Sequence, residues 1–152
     1  MKVAIGSDHG GFGLKEALVA FVLSRGHEVT DVGAFFMDRD DDYPDYTRLV
    51  AEMILKAEAE RGIVVCGSGV GASIAASKFP GIRAAVCHDA YSAHQGVEHD
   101  DMNVLCLGQA IIGEESAKEI VSNFLKAHFM DEVRYVRRLQ KVRAIEREFM
   151  KP

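Results

Sequence analysis

Short apolar runs alternate along the chain with segments in which apolar residues recur at helical spacing. Runs rich in Val, Ile, Leu and Ala predict five strands, at 3–5, 28–32, 63–66, 83–87 and 103–107. Between strands, apolar side chains share one helical face, as in Leu14, Leu18, Phe21 and Val22. This alternation predicts an α/β fold: a single-domain, doubly wound (Rossmann-like) parallel five-stranded sheet over 1–152, whose ligands bind at the carboxyl ends of the strands.

The last helical segment, 131–150, is long and basic. The strand and helix alternation does not need it to cover the sheet, so we expect this C-terminal helix to reach a partner subunit. A stripe of basic residues repeats at i, i+3, i+4 and i+7 opposite Val133, Val136 and Ile145, namely Arg134, Arg137, Arg138 and Lys141. A solvated face is the common explanation, but guanidinium groups in this array also suit a phosphate monoester.

The chain has 152 residues and a formal net charge of -5 at pH 7, which suits one globular domain. An acidic balance argues against nucleic acid or an anionic membrane as the main partner, because both need a basic face. No run of 18 apolar residues occurs, so we expect a cytoplasmic protein that crosses no membrane. Three cysteines without CxxC spacing predict free thiols and no zinc site.

A glycine-rich turn follows the third predicted strand, in the stretch Cys66, Gly67, Ser68, Gly69, Val70 and Gly71. Glycines let backbone amides approach an anion, and the helix that follows adds partial positive charge. The pattern is neither GxGxxG nor a P-loop, which favours an anion cradle not built for a nucleotide over a purely structural turn. Two interpretations of Cys66 remain open. It acts as a base or nucleophile beside this cradle, or it is one more buried thiol.

Further polar residues are candidates for the same site. Asp8 and His9 follow the first strand. If the strands are parallel, they lie beside Cys66 at the carboxyl ends of the strands, although Asp8 also suits a helix cap. The acidic run 38–45 resembles a solvated loop that opens a helix, with Tyr43 as a candidate for the crevice. The spacing of His88, His94 and His99 does not suit a metal site, so His99 is favoured as a general acid or base.

Taken together, several motifs resemble the type B ribose-5-phosphate isomerase and galactose-6-phosphate isomerase family, namely those at 6–11, 42–46, 66–71, 81–84, 99–105 and the terminal arginines. The resemblance covers nearly the whole chain in order. It implies a metal-independent and cofactor-free aldose–ketose isomerisation of a phosphorylated sugar through a cis-enediolate. It also implies a homodimer or tetramer whose active sites are shared between subunits.

The same resemblance implies roles for individual residues. Cys66 would be the base, with Ser68 and the partner's His99 assisting ring opening. Substrate contacts would come from Asp8, His9 and Tyr43, from the amides of Gly67, Gly69, Val70 and Gly71 around the enediolate, and from Arg134 and Arg138 at the phosphate.

Two departures from the family pattern leave the sugar open. Asp100 stands where the family often has Asn beside the enediolate, and Ala110 lies in a turn that often carries Arg. Ribose 5-phosphate, a tetrose phosphate and a hexose phosphate therefore remain candidates, as does a non-catalytic phosphosugar-binding subunit. A nucleotide-binding regulatory domain rests on the fold alone and is the weakest alternative.

Overall fold

A computed structural model describes residues 1–150. Its strands confirm the five predicted runs: β1 (Lys2–Ser7), β2 (Glu28–Asp31), β3 (Arg61–Cys66), β4 (Ala84–Val86) and β5 (Val104–Gly108). The helices between and after them are α1 (Phe12–Ser24), α2 (Tyr43–Leu55), α3 (Val70–Ala76), α4 (Ala90–Asp100), α5 (Glu114–Lys126) and α6 (Val133–Phe149). A short 3-10 turn at His9–Gly11 joins β1 to α1.

The five strands form one parallel sheet in the order β2-β1-β3-β5-β4. The chain moves outward from β1 to β2 and then returns to place β3 on the other side of β1. Crossovers therefore leave β1 and β3 in opposite directions, which opens a crevice at their carboxyl ends. The turns that follow these two strands, after Ser7 and after Cys66, border that crevice.

Alternating side chains of the strands enter two separate cores, one on each face of the sheet. Val3 and Ile5 of β1 pack with apolar residues of α1, α4 and α5. Ala4 lies between them in sequence and packs on the opposite face, with Val50 of α2 and Ala72 of α3. Both faces are therefore covered by helices, as predicted for a doubly wound sheet.

Helix α6 lies outside these layers and packs against α4. Its buried side chains are Tyr135 and Leu139. Val133 and Ile145 are 84% and 59% exposed in the single chain. Most of α6 is in contact with solvent in the single chain. No helix within residues 1–150 has the length and apolar character needed to cross a membrane.

Candidate active site

The turns after β1 and β3 are packed directly against each other. A Cβ atom added to Gly10 would lie 3.1 Å from the Gly67 amide nitrogen and 3.3 Å from Asp8 Oδ1. One added to Gly11 would lie 2.5 Å from the carbonyl carbon of Val65. Only residues without a side chain allow this approach, so the glycines bring Asp8 and His9 to the same crevice as the turn after Cys66.

The glycine turn is fixed by its contacts with the end of β5. Gly69 has φ +80, a conformation that favours glycine, and a Cβ there would lie 3.0 Å from the backbone of Leu107. At Gly108, an added Cβ would lie 2.6 Å from Ser68. The Gly69 amide consequently points at Cys66 and donates a hydrogen bond to Sγ at 3.1 Å. Ser68 is exposed at the outside of the turn, and its hydroxyl accepts from the Val70 amide.

The three cysteines are free and buried, but they occupy different places in the sheet. Cys106 lies within β5, where burial raises the pKa of its thiol. Cys87 follows β4, and burial together with the charge of Asp89 raises its pKa to about 11. Both therefore stay protonated near neutral pH. Cys66 differs because it ends β3 and receives the amide hydrogen bond of the glycine turn.

Tyr43 lies across the start of α3. It is the first residue of α2, and Pro44 in the first turn suits a helix start because its ring presets φ. A Cβ added to Gly71 would lie 2.6 Å from the Tyr43 ring, so the ring packs flat against the backbone of this turn. The half-buried phenol thus forms one wall of the crevice, as the sequence suggested for this residue.

Asp8 and His9 are joined by a third residue that the sequence assigned to a solvated loop. The carboxylate of Asp41 accepts from the His9 amide at 2.9 Å and pairs with His9 Nδ1 at 2.6 Å. This hydrogen bond is the main reason that the pKa of His9 lies above its ordinary value. Asp8 does not cap a helix through its side chain. Burial instead raises its pKa, against the opposing charge of His9.

The same three side chains have the composition of a metal site. One ligand atom from each of Asp8, His9 and Asp41 lies within 4.8 Å of the others. His9 Nδ1 and Asp41 Oδ1 are, however, already at hydrogen-bonding distance from each other. A cation between them would have to separate this pair.

His99, Arg134 and Tyr135 form a second group on α4 and α6. The imidazole of His99 stacks on the Tyr135 ring with centroids 4.1 Å apart and an interplanar angle of 16°. Arg134 donates to the Tyr135 hydroxyl and to Glu132 Oε2, the latter at 3.2 Å. Arg138 and Asp100 are exposed nearby on the same two helices. An aromatic platform thus connects a histidine to the predicted phosphate-binding arginine.

Within one chain the two groups lie at opposite ends of the strands, the first at their carboxyl ends and the second near the amino end of β5. Cys66 pairs with Gly108 at the carboxyl end of β5. His99 lies at the end of α4, shortly before β5 begins at Val104. Four residue steps along β5 correspond to about 13 Å. We call the residues around Cys66 the thiol half-site (Asp8, His9, Tyr43 and 66–71) and the others the histidine half-site (His99, Asp100, Arg134, Tyr135 and Arg138).

Sequence reasoning missed Asp41 and Tyr135. Asp41 is one of several acidic residues in the run 38–45, so composition does not single it out, and its contact with His9 spans 32 positions of the chain. Tyr135 was hidden beside the basic stripe, although it and Leu139 are spaced as one apolar face of a helix. That spacing was a usable signal for Tyr135, whereas nothing local in the sequence marks Asp41.

A family model described as Ribose/Galactose Isomerase matches residues 3–142. This chain belongs to that family. Ribose-5-phosphate isomerase B of Escherichia coli is 46% identical over 145 residues, which cover 95% of this chain and 96% of the relative. A solved structure of the Clostridium thermocellum ribose-5-phosphate isomerase B is also 46% identical, covers 98% of this chain and 99% of its own, and has a TM-score of 0.94.

The ribose/galactose isomerase family also includes relatives named for other sugars. D-erythrulose-4-phosphate isomerase 2 of Mycolicibacterium smegmatis is 38% identical over 131 residues, which cover 85% of this chain and 86% of the relative. Membership confirms the resemblance found in the sequence motifs and makes the protein an aldose–ketose isomerase. It also confirms the Rossmann-like α/β fold.

Proposed function

We propose that this protein interconverts an aldose phosphate and its ketose through a cis-enediolate, with Cys66 as the base. The observation that carries the proposal is the Gly69 amide, which donates to Cys66 Sγ at 3.1 Å inside a glycine turn at the switch point of the sheet. A thiol beside an amide donor suits proton abstraction, because the donor stabilises the thiolate, and the other amides of the turn can stabilise the oxyanion that develops on the substrate.

The proton transfer is balanced without an external electron acceptor. Cys66 as thiolate takes the proton from the carbon beside the carbonyl, and the C–H electron pair becomes the C=C bond of the enediolate. The carbonyl π electrons move onto oxygen, where the amides of Gly67, Gly69, Val70 and Gly71 receive the charge. Return of the proton to the neighbouring carbon, with a hydroxyl proton passing between the two oxygens, completes the isomerisation.

The other substrate contacts are assigned to groups that face the same crevice. Tyr43 covers the glycine turn, and Asp8 and His9 border it, so these three suit the sugar hydroxyls. Ser68 is exposed at the turn and suits the ring oxygen or anomeric hydroxyl.

Ring opening and phosphate binding need the histidine half-site of a second chain. Cys66 lies at the carboxyl end of the strands and His99 near the amino end of β5, about 13 Å away along that strand, so we assign the two groups around one sugar to different chains. We assign His99 and Ser68 to ring opening, Arg134 and Arg138 to the phosphate, and Asp100 to the sugar oxygens. In a homodimer, or a tetramer of two dimers, each thiol half-site would then be completed by the partner's histidine half-site.

The substrate we propose is a ribose 5-phosphate/ribulose 5-phosphate pair, with a tetrose phosphate as the second candidate. The first follows the names of the relatives at 46% identity. The second is favoured by the relative named for D-erythrulose 4-phosphate and by Ala110, which is exposed in the turn where the family often has Arg. A panel of four-, five- and six-carbon aldose and ketose phosphates decides between them.

The experiment is subunit mixing on the best substrate of that panel. Cys66→Ala chains and His99→Ala chains carry different tags and are co-expressed, and mixed dimers are isolated with both tags. Cys66→Ala homodimers are expected to lose about 1,000-fold in kcat because the base is absent. Mixed dimers are expected to regain about half of the wild-type activity, since one of their two sites receives an intact Cys66 and an intact His99.

Three results would contradict parts of this proposal. Full turnover by Cys66→Ala would show that Cys66 is not the base. Mixed dimers as inactive as both parents would show that the half-sites do not complement each other between chains. Absence of solvent deuterium incorporation at C2 of any bound sugar phosphate by the wild-type protein would favour a binding subunit instead.

A further inference from the structure

One residue of the loop before α2, Asp41, contacts the thiol half-site. Asp41 lies in the acidic run 38–45, yet its side chain is only 8% exposed. Its Oδ1 accepts two hydrogen bonds from His9, one from the backbone amide at 2.9 Å and one from ring Nδ1 at 2.6 Å. A carboxylate that binds the amide and the ring of the same residue fixes both its backbone and its χ angles.

The loop is tied down at its other end as well. Lys15 of α1 is fully buried and donates to Asp31 Oδ2 at 2.7 Å and to the Ala34 carbonyl at 2.8 Å. The segment from Asp31 to Asp41 is therefore held at both ends by residues of the β1–α1 region. Asp41 is positioned before substrate binds, and its hold on His9 needs no rearrangement.

This pairing decides what His9 can offer to a ligand. Because Nδ1 carries the proton that Asp41 accepts, the other ring nitrogen, Nε2, is an acceptor in the neutral ring and a donor in the imidazolium. Nε2 has no hydrogen-bond partner within residues 1–150, and the side chain is 38% exposed. The charged groups that face the ring are Asp41 and the buried Asp8, and the Tyr46 hydroxyl faces Asp41 from α2.

We propose that Asp41 is a positioning residue for substrate binding, which holds His9 in one orientation and keeps its Nε2 directed at a sugar oxygen, to which the protonated ring donates. This inference rests on the proposed function, since it takes His9 as a substrate contact. It gives the acidic loop a role beyond solvation.

The pH dependence follows from the same pair. The Asp41 hydrogen bond and then the charge of Asp8 raise the pKa of His9 above 6.5. Burial acts to raise the pKa of Asp41, but its hydrogen bonds from the His9 amide and ring, together with the nearby Tyr46 hydroxyl, outweigh this and lower it. The pairing is complete between pH 3.8 and 6.5, the ordinary pKa values of Asp41 and His9. It weakens as the pH rises through the raised pKa of His9 in the folded protein, and also as the pH falls through the lowered pKa of Asp41. Substrate binding should weaken over the same intervals.

The test compares Asp41→Asn with Asp40→Asn, since Asp40 is exposed in the same loop and Asp41 alone pairs with His9. NMR titration of the His9 ring, assigned with a His9→Gln variant, reports its pKa and which nitrogen carries the proton. We expect Asp41→Asn to bring the pKa down toward 6.5 and to mix the two neutral tautomers. Asp40→Asn should leave both properties as in the wild-type protein.

Kinetics provide the second reading. Loss of a charge-assisted hydrogen bond is expected to raise KM about 10-fold in Asp41→Asn, with kcat changed less than about 3-fold, because the contact is to an oxygen that does not react. Asp41→Glu restores the charge and should recover part of the affinity. Thermal unfolding of each variant checks that the loop change leaves the fold intact.

The two readings separate the two proposals. An unchanged His9 titration in Asp41→Asn, or the same change in Asp40→Asn, would overturn the positioning role. A changed His9 titration with an unchanged KM in Asp41→Asn would show that Asp41 has no part in substrate binding. If no sugar phosphate were isomerised by the wild-type protein, the proposed function would fail, while the NMR result would still decide how Asp41 acts on His9.

Discussion

The thiol half-site and the histidine half-site differ in what holds them together. Around Cys66, backbone packs on backbone: Gly11 lies against Val65 and Gly69 against Leu107. Around His99, the contacts are made by side chains, with a stacked Tyr135 and an arginine on the largely exposed helix α6. One half-site is therefore part of the core of the sheet, whereas the other lies on its surface.

This difference matches the chemistry that each half-site is proposed to perform. An oxyanion hole needs amide dipoles that do not move during the reaction, and strand ends locked by glycine contacts provide them. Binding a phosphate needs long, cationic side chains that can reach the ligand, and an exposed helix provides those. Substitutions at the glycine contacts of the first should therefore affect folding, and substitutions at the arginines of the second should affect KM.

The largest expected effect is on the stability of the thiol half-site. Gly11→Ala places a methyl group 2.5 Å from the backbone of Val65, which cannot move without breaking its strand pairing. We expect a loss of about 3 kcal/mol in the free energy of unfolding. Urea denaturation followed by circular dichroism measures it.

Gly67→Ala is the matched control for this substitution. A Cβ at Gly67 meets no atom within 4 Å, so the free energy of unfolding should change by less than about 0.5 kcal/mol. Its activity should nevertheless fall, because the methyl group would occupy space beside the amides of the glycine turn. Equal destabilisation by Gly11→Ala and Gly67→Ala would show that backbone packing does not hold this half-site.

The two half-sites also differ in how far the sequence predicts them. In the thiol half-site, Cys66 ends a strand, and Asp8 and His9 directly follow another. Because the carboxyl ends of parallel strands lie side by side, local patterns were enough to place these residues together. The pairing of His9 with Asp41 depends on how a long loop folds back, which no periodicity encodes. In the histidine half-site, the spacing of Tyr135 and Leu139 is a usable signal for the face of α6 that packs on the protein, whereas nothing in the sequence shows that Val133 and Ile145 are exposed in the single chain.

A smaller effect is expected for Arg134→Ala in the histidine half-site. Arg134 is exposed and contacts only Glu132 and Tyr135 within residues 1–150, so the free energy of unfolding should stay within about 0.5 kcal/mol of wild type. Loss of a charge-assisted contact to phosphate should raise KM about 10-fold or more with little change in kcat. Steady-state kinetics on the best sugar phosphate measures both.

Arg137→Ala controls for the general positive charge of α6. Arg137 is exposed on the same helix and lies outside the half-site, so its loss should raise KM by less than about 2-fold at 0.15 M salt, where exposed charges are screened. A rise as large as that of Arg134→Ala would mean that α6 attracts the substrate by overall charge rather than by a defined contact.

Among the substitutions within the half-sites, the smallest effect is expected for Tyr135→Phe, which separates the two functions of that ring. Phenylalanine keeps the stack on His99, whose centroid lies 4.1 Å away, but removes the hydroxyl that Arg134 contacts. A less restrained Arg134 should raise KM about 3-fold, in line with the loss of one part-buried hydrogen bond. The value of kcat should be unchanged, because the platform under His99 remains. If kcat instead falls as far as it does in His99→Ala, the Tyr135 hydroxyl takes part in proton transfer and the histidine half-site is more than a phosphate and ring-opening surface.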